Sequence, residues 1–153
     1  MKPMNSLQEK KSKPINSLLA EYAESHKNRH NKIIHYFCVP IIFWSITAML
    51  WVVKIPVIEN LAIVATAIIS LYYLSKDIKI AIQMLVFIII CLFINYYLES
   101  NGFSLLISAI ILFIIAWVFQ FIGHHIEGKK PSFLKDLQFL LIGPAWIVKQ
   151  LLG

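Results

Sequence analysis

Four apolar runs, Ile33–Val53, Val57–Leu74, Ile80–Leu98 and Phe103–Ile122, leave a chain of this size few architectures. Each approaches the ~20 residues that carry an α-helix across ~30 Å of hydrocarbon. In lipid a backbone must satisfy its own hydrogen bonds, so such runs are read as helices. The expected fold is all-α: an integral membrane protein of four transmembrane helices, in which the second and third runs are short enough to be re-entrant or strongly packed. A hydrophobic content of 59% and a mean hydropathy of +0.73 exclude an ordinary soluble domain at 153 residues.

The charges sort by position. Of the fourteen basic residues, seven precede the first run, Lys76 and Lys79 separate the second from the third, and Lys129, Lys130, Lys135 and Lys149 follow the fourth. Only Lys54 falls in a loop of the other parity, so the positive-inside rule puts both termini and the middle loop in the cytoplasm. This arrangement speaks for a membrane surface as the basic residues' partner and against nucleic acid. Residues 1–14 are expected to be a disordered basic arm, and residues 15–153 a single four-helix membrane domain. No signal-peptide core stands in the polar first thirty residues. Cys38 and Cys91 lie inside apolar runs as small hydrophobes, without a disulfide frame.

Two amphipathic interfacial helices are expected at the ends. The first begins near Asn16 or Ser17 as N-cap, with Leu18, Leu19 and Tyr22 laid on the surface. The second covers Phe133–Leu152 and is interrupted at Gly143-Pro144, an anchor that also packs under the site formed by the histidine-bearing segments. Tyr72, Tyr73, Tyr96 and Tyr97 are placed as interfacial aromatics. Asn101-Gly102 is a turn signal, and Gly128 followed by Pro131 ends the fourth run's helix.

Chemistry concentrates in two segments that this topology brings to one side. All five histidines lie in Tyr22–His35 or in Trp117–Pro131. At ~100° per residue, Trp117, Gln120 and His124 share a face, and Glu127 lies one turn beyond His124; His125 points elsewhere. In the first segment His26 and His30 stand at i, i+4, a spacing that can chelate one ion. His26 and His35 are about half a turn out of phase, so one straight helix cannot aim both at one point. Either the chain breaks near Asn28–Asn31, with Asn31 capping the following span, or only one of the two is a ligand. Imidazole suits Fe, Zn, Cu or Ni, and a three-histidine site with Asn, Gln and Glu orienting the rings leaves positions open for chemistry. The larger histidine complement of a di-iron membrane desaturase is missing, and paired histidines deep inside two spans, as a shared haem needs, are missing too.

Tyr22, His26, Asn28, Asn31, His35 and Pro40, as Y-x3-H-x-N-x2-N-x3-H-x4-P, followed by W-x2-Q-F-I-G-H at Trp117–His124, Glu127, Pro131 and Gly143-Pro144, resemble the 2-hydroxy fatty acid dioxygenase family, known from yeast phytosphingosine breakdown and from bacterial relatives. The resemblance covers the chain from about Asn16 to its end. It implies an Fe(II)-dependent α-oxidation in which O2 and a 2-hydroxy fatty acid give the fatty acid one carbon shorter. Matched position by position, it makes His26, His35 and His124 the iron ligands and leaves His30 and His125 unmatched. The stretch Glu127–Pro131 is one residue shorter than the yeast-like pattern. Asn28, Asn31 and Gln120 are expected to orient the rings or the substrate, against the simpler roles of capping and packing. Lys129 or Lys130, or Arg29, would hold the substrate carboxylate unless they are only positive-inside residues. A membrane scaffold or lipid-binding protein with a structural His/Zn site is the competing expectation. The expected location is a bacterial inner membrane, or the endoplasmic reticulum of a eukaryote.

Overall fold

A computed structural model describes residues 14–128 and 133–153, with the backbone alone for 133–139. The described chain forms α1 (Ile15–Glu24), α2 (Arg29–Trp51), α3 (Leu61–Leu74), α4 (Ile78–Ser100), α5 (Leu105–Glu127) and α6 (Phe133–Leu152). Between α2 and α3 stands a two-residue ladder, β1 (Lys54–Ile55) against β2 (Glu59–Asn60), antiparallel, with Lys54 opposite Asn60. The basic arm lies outside the described residues, apart from Pro14.

Several helix ends have a local cause. Asn60 caps α3 by accepting from Ile63 N, and Asp77 caps α4 by accepting from Ile80 N. The α5 helix stops at Gly128, whose φ of 72° is the left-handed conformation that a side chain disfavours. The α1 helix departs from expectation: it starts after Pro14 with no side-chain cap, and the Ser17 hydroxyl instead donates to Pro14 O at 2.8 Å.

Among the described residues three helices, α2, α4 and α5, each of 23 residues, are long and apolar enough to cross a membrane. The run expected to form the second span gives α3, with only 14 residues, or ~21 Å at 1.5 Å per residue. Its first residues are spent on the β2 strand and the tight turn before it, where Val57 and Glu59 both hold positive φ. The long helices run between two ends. One end joins Trp51, Lys54 and Glu99 through Trp51 Nε1–H donating to Glu99 at 2.7 Å and the Lys54 ammonium at 2.9 Å from it. The opposite end joins the start of α2 to the end of α5. Isoleucines, leucines and phenylalanines such as Ile89, Phe93, Ile107 and Ile114 face outward, as a hydrocarbon solvent permits.

The most extensive packing is α2 against α5. Ala48 on α2 and Ala109 and Ala116 on α5 are buried, and small side chains let helices approach closely in lipid. Pro40 sits well inside α2 rather than near a helix start, because α2 begins at Arg29, earlier than the apolar run.

The α6 helix is not interrupted at Gly143-Pro144, and its middle packs inward, under the site as expected. It runs unbroken through Pro144, and every residue from Ile142 to Val148 is buried, with α1, α2 and α4 around it. A Cβ at Gly143 would lie 3.2 Å from the Tyr22 hydroxyl and 3.3 Å from Val39 Cγ1, so the missing side chain lets α6 close onto α1 and α2. Burial on all sides offsets the hydrogen bond that Pro144 cannot make. Tyr73 adds a bond from its hydroxyl to Leu141 O at 2.5 Å.

Candidate metal centre

The break between α1 and α2 decides the geometry. The α1 helix ends at Glu24, and residues 25–28 turn the chain before α2 starts at Arg29. The N-cap of α2 is Asn28 rather than Asn31: Asn28 Oδ1 accepts from His30 N at 2.9 Å. The turn frees His26 from the helical phase that separates it from His35. Their rings meet edge to face, with centroids 4.2 Å apart.

From the other segment, α5 brings His124 to the same place. Its ring centroid lies 5.3 Å from that of His35 and 6.2 Å from that of His26. His26 and His35 are almost fully buried, and His124 is half-buried. His30 and His125 are exposed and make no ring contact with the three. The i, i+4 pair of His26 and His30 is therefore not the chelating pair here, since His26 lies off the helix that carries His30.

Two of the imidazoles are oriented in the same way. His26 Nδ1 lies 2.7 Å from Tyr22 O and His35 Nδ1 lies 2.9 Å from Asn31 O, each four residues back. A carbonyl can only accept, so Nδ1 carries the proton in both rings and the lone pair is on Nε2. A backbone carbonyl holding the far nitrogen is the usual support of a metal-ligating histidine. Gln120, buried on α5 one turn before His124, reaches the His35 ring. Tyr22 stacks on His26 at 4.1 Å, and the buried Trp146 of α6 closes the inner side at 5.3 Å from Tyr22 and 6.1 Å from His26.

Glu127 and Gly123 fasten the two segments together. The Glu127 carboxylate accepts from Lys27 N at 3.0 Å, Asn28 N at 3.0 Å and Asn31 Nδ2 at 2.9 Å. The last residue of α5 thus binds the amides of the turn that presents His26. Gly123 is where α5 touches Asn31: a Cβ there would stand 2.5 Å from Asn31 Oδ1 and 3.4 Å from His35 Cε1. Asn31 is fully buried, and its Oδ1 has no hydrogen-bond partner among the described residues.

The residues expected at the site separate accordingly. His26, His35 and His124 converge, with Asn31 and Gln120 beside them. The Asn28 side chain is engaged as a helix cap. Lys129 and Lys130 lie outside the described residues. Gly123 and Trp146 were given no role from the sequence, and Glu127, expected to orient a ring, instead holds the turn amides and Asn31. Gly123 and Glu127 stood in the motif, and a glycine between a buried glutamine and a histidine on one helix face was the available signal for close approach. Trp146 carried no local signal, because only the tertiary position of α6 brings it there.

The donor set fits a metal of imidazole preference: neutral Nε2 lone pairs, far nitrogens held by carbonyls, and amides alongside. The rings touch one another, and no trio of His, Cys, Asp or Glu among the described residues already stands in chelating geometry. The cluster is a set of donors within reach of one another rather than a finished cage.

Comparison with known proteins decides the family. The sequence signature of the family described as "Mpo1-like: 2-hydroxy-palmitic acid dioxygenase Mpo1-like" matches residues 12–153. The chain belongs to the Mpo1-like family. A characterised relative is the 2-hydroxy-palmitic acid dioxygenase MPO1 of Saccharomyces cerevisiae, 30% identical over 141 residues that cover 90% of this chain and 79% of the yeast protein. No solved structure matches. The Mpo1-like match takes in α1 through α6, so the converging histidines, Gly123 and Glu127 all lie within it.

Proposed function

We propose that the protein is a membrane dioxygenase that binds Fe(II) through His26, His35 and His124 and oxidises a 2-hydroxy fatty acid with O2 to the acid one carbon shorter. The observation that carries this reading is the meeting of three imidazoles from segments about a hundred residues apart, in a chain of the Mpo1-like family. Iron bound there would supply the redox chemistry with which O2 attacks the substrate.

The chain's own residues have separable tasks in this scheme. The carbonyls of Tyr22 and Asn31 hold the Nδ1 protons of His26 and His35, so that Nε2 stays the donor. Gln120 keeps the His35 ring from turning. Tyr22 and Trp146 wall the buried side and keep water out. Arg29 is exposed at the same end of the bundle, and Lys129 and Lys130 follow α5 directly in the sequence, so these three are our candidates for receiving the substrate carboxylate. The histidines lie at helix ends, which would set the substrate's head at the membrane surface; we assign that surface to the cytoplasmic side from the lysine distribution.

The test is metal analysis and oxygen uptake on detergent-purified protein loaded with iron under anaerobic conditions. The expected result is one iron per chain and uptake with a long-chain 2-hydroxy fatty acid but not with the matching non-hydroxylated acid. His26→Ala, His35→Ala and His124→Ala should each lose the iron, while His30→Ala and His125→Ala keep it. Tightly held zinc, with no uptake on either acid, would instead make the cluster a structural site in a membrane scaffold.

A further inference from the structure

The histidine cluster carries an acceptor that its own packing does not use. Asn31 is 0% exposed, and its Nδ2 donates to Glu127 Oε2 at 2.9 Å. Both oxygens of that carboxylate also accept from backbone amides, Oε1 from Lys27 and Oε2 from Asn28, at 3.0 Å each. A carboxylate engaged in this way takes only donors, so the asparagine cannot turn its amide over: the nitrogen faces Glu127 and Oδ1 faces away from it. Among the described residues Oδ1 meets no donor. A buried acceptor left unmet is destabilising, and such atoms in native proteins mark places where a bound group completes the bonding.

Oδ1 lies in the seam between α2 and α5, beside the rings. A side-chain carbon on Gly123 would stand 2.5 Å from Oδ1 and 3.4 Å from His35 Cε1, so the acceptor and the imidazole come to the same spot on α5. The His124 ring lies 5.3 Å from that of His35. Any residue but glycine would fill the space against Oδ1, and glycine is the residue that suits a close approach.

Solvent does not reach the asparagine, so the missing donor has to belong to a group bound inside the cluster. The Nδ1 protons of His26 and His35 are committed to the carbonyls of Tyr22 and Asn31, and the amides of the turn are committed to Glu127. Of the parts of a 2-hydroxy fatty acid, the ionised carboxylate and the alkyl chain donate nothing; the hydroxyl donates one hydrogen bond. We infer that Asn31 Oδ1 accepts from the 2-hydroxyl of the substrate and is the residue by which the protein tells a 2-hydroxy acid from an unsubstituted one. The inference rests on the proposed function for the identity of the substrate, and it adds the atom that reads the hydroxyl. A site that pairs a buried acceptor with a substrate hydroxyl rejects the analogue lacking it, because the acceptor is then stranded. Glu127 acts through Asn31 as a positioning residue, since its hold on Nδ2 fixes where Oδ1 points.

The experiment measures binding without turnover, on the full chain in phosphatidylcholine nanodiscs, free of metal and of O2. A radiolabelled unsubstituted long-chain acid is displaced by unlabelled 2-hydroxy, 2-fluoro and unsubstituted acids of the same length. Fluorine is close to a hydroxyl in size and has no proton to donate, and the absence of metal removes chelation as a cause of preference. In the parent protein the 2-hydroxy acid should displace about tenfold better than the other two, the order expected from meeting one buried acceptor. In Asn31→Leu the three acids should displace alike, with the affinity for the unsubstituted acid retained; a purely structural loss would lower all three together. Infrared difference spectra of parent protein with isotope-labelled asparagine side-chain carbonyls need no variant to fold. A labelled carbonyl band should move to lower frequency with the 2-hydroxy acid and stay in place with the 2-fluoro acid. Absence of a 2-hydroxy preference in the parent, an unmoved band, or a preference that survives in Asn31→Leu would overturn the inference. Iron content and oxygen uptake of iron-loaded protein, measured in parallel, separate the two claims. Hydroxyl preference without uptake removes the dioxygenase reading and keeps the acceptor; uptake without preference does the opposite.

Discussion

Gly123 is the residue on which the candidate site is most sharply constrained. An added methyl would stand 2.5 Å from Asn31 Oδ1, and the asparagine cannot swing aside freely because its Nδ2 is bound to Glu127 at 2.9 Å. Gly123→Ala should therefore cost about 1–3 kcal/mol, the usual range for forced overpacking, and lower iron retention. A double-mutant cycle with Asn31→Ala checks the cause: the two losses should combine to less than their sum, because the clash vanishes with the amide. At Glu127 the expectation is different. Replacing it by alanine strips the acceptor from the amides of Lys27 and Asn28 and from Asn31 Nδ2, bonds to a charged group worth roughly 1.5–3 kcal/mol each where buried and less where exposed. Hydrogen exchange at Lys27 and Asn28 should quicken in Glu127→Ala while the rest of α2 stays protected. Unchanged exchange there would show that the carboxylate does not hold the turn.

At the scale of elements, the break before α2 is the feature that sequence periodicity could frame but not settle. The phase mismatch between His26 and His35 required a break or a single ligand, and it left the position open. Asn28 and Asn31 stood within reach as caps, and Asn28 took the role where Glu127 of a distant helix fastens the turn amides. Asn28→Ala should cost about 1 kcal/mol as a lost N-cap and shift iron affinity through His26. The α6 helix is the other instructive element. A Gly-Pro pair within an amphipathic pattern reads as an interruption on local grounds. Here the glycine serves contact with Tyr22 and Val39, and the proline is carried in a buried helix. Trp146→Ala should destabilise the protein by about 3–5 kcal/mol, as large-to-small changes at buried aromatics do, because it removes the wall against Tyr22, His26 and Tyr36. Chemical unfolding in detergent measures it.

For the molecule as a whole, hydropathy was enough to reveal a helical protein with apolar outward faces, and the family resemblance, not the spacing, singled out the three histidines that the structure brings together. Span count was less legible. Composition reads Val57–Leu74 as a candidate fourth span, but the turn at Val57–Glu59 takes up part of that run and leaves a helix of 14 residues. Among the described residues three helices are thus long enough to cross, and α3 is short of that length. A cysteine introduced at either end of α3 and tested for labelling by a membrane-impermeant reagent should be modified from opposite sides if α3 spans a locally thinned bilayer. Modification of both from one side would make it re-entrant.

The fastening of Lys27 to Glu127 across 100 residues also sets an order of events during synthesis. A nascent chain delivers His26 and His35 early, when the partner helix is still inside the ribosome, and it delivers His124 only after α3 and α4 have been inserted. Until then only two of the three proposed ligands exist. In the proposed scheme the ion would consequently be acquired late, after α3 and α4 are in place, and a chain truncated before α5 would hold no iron however well its first helices fold.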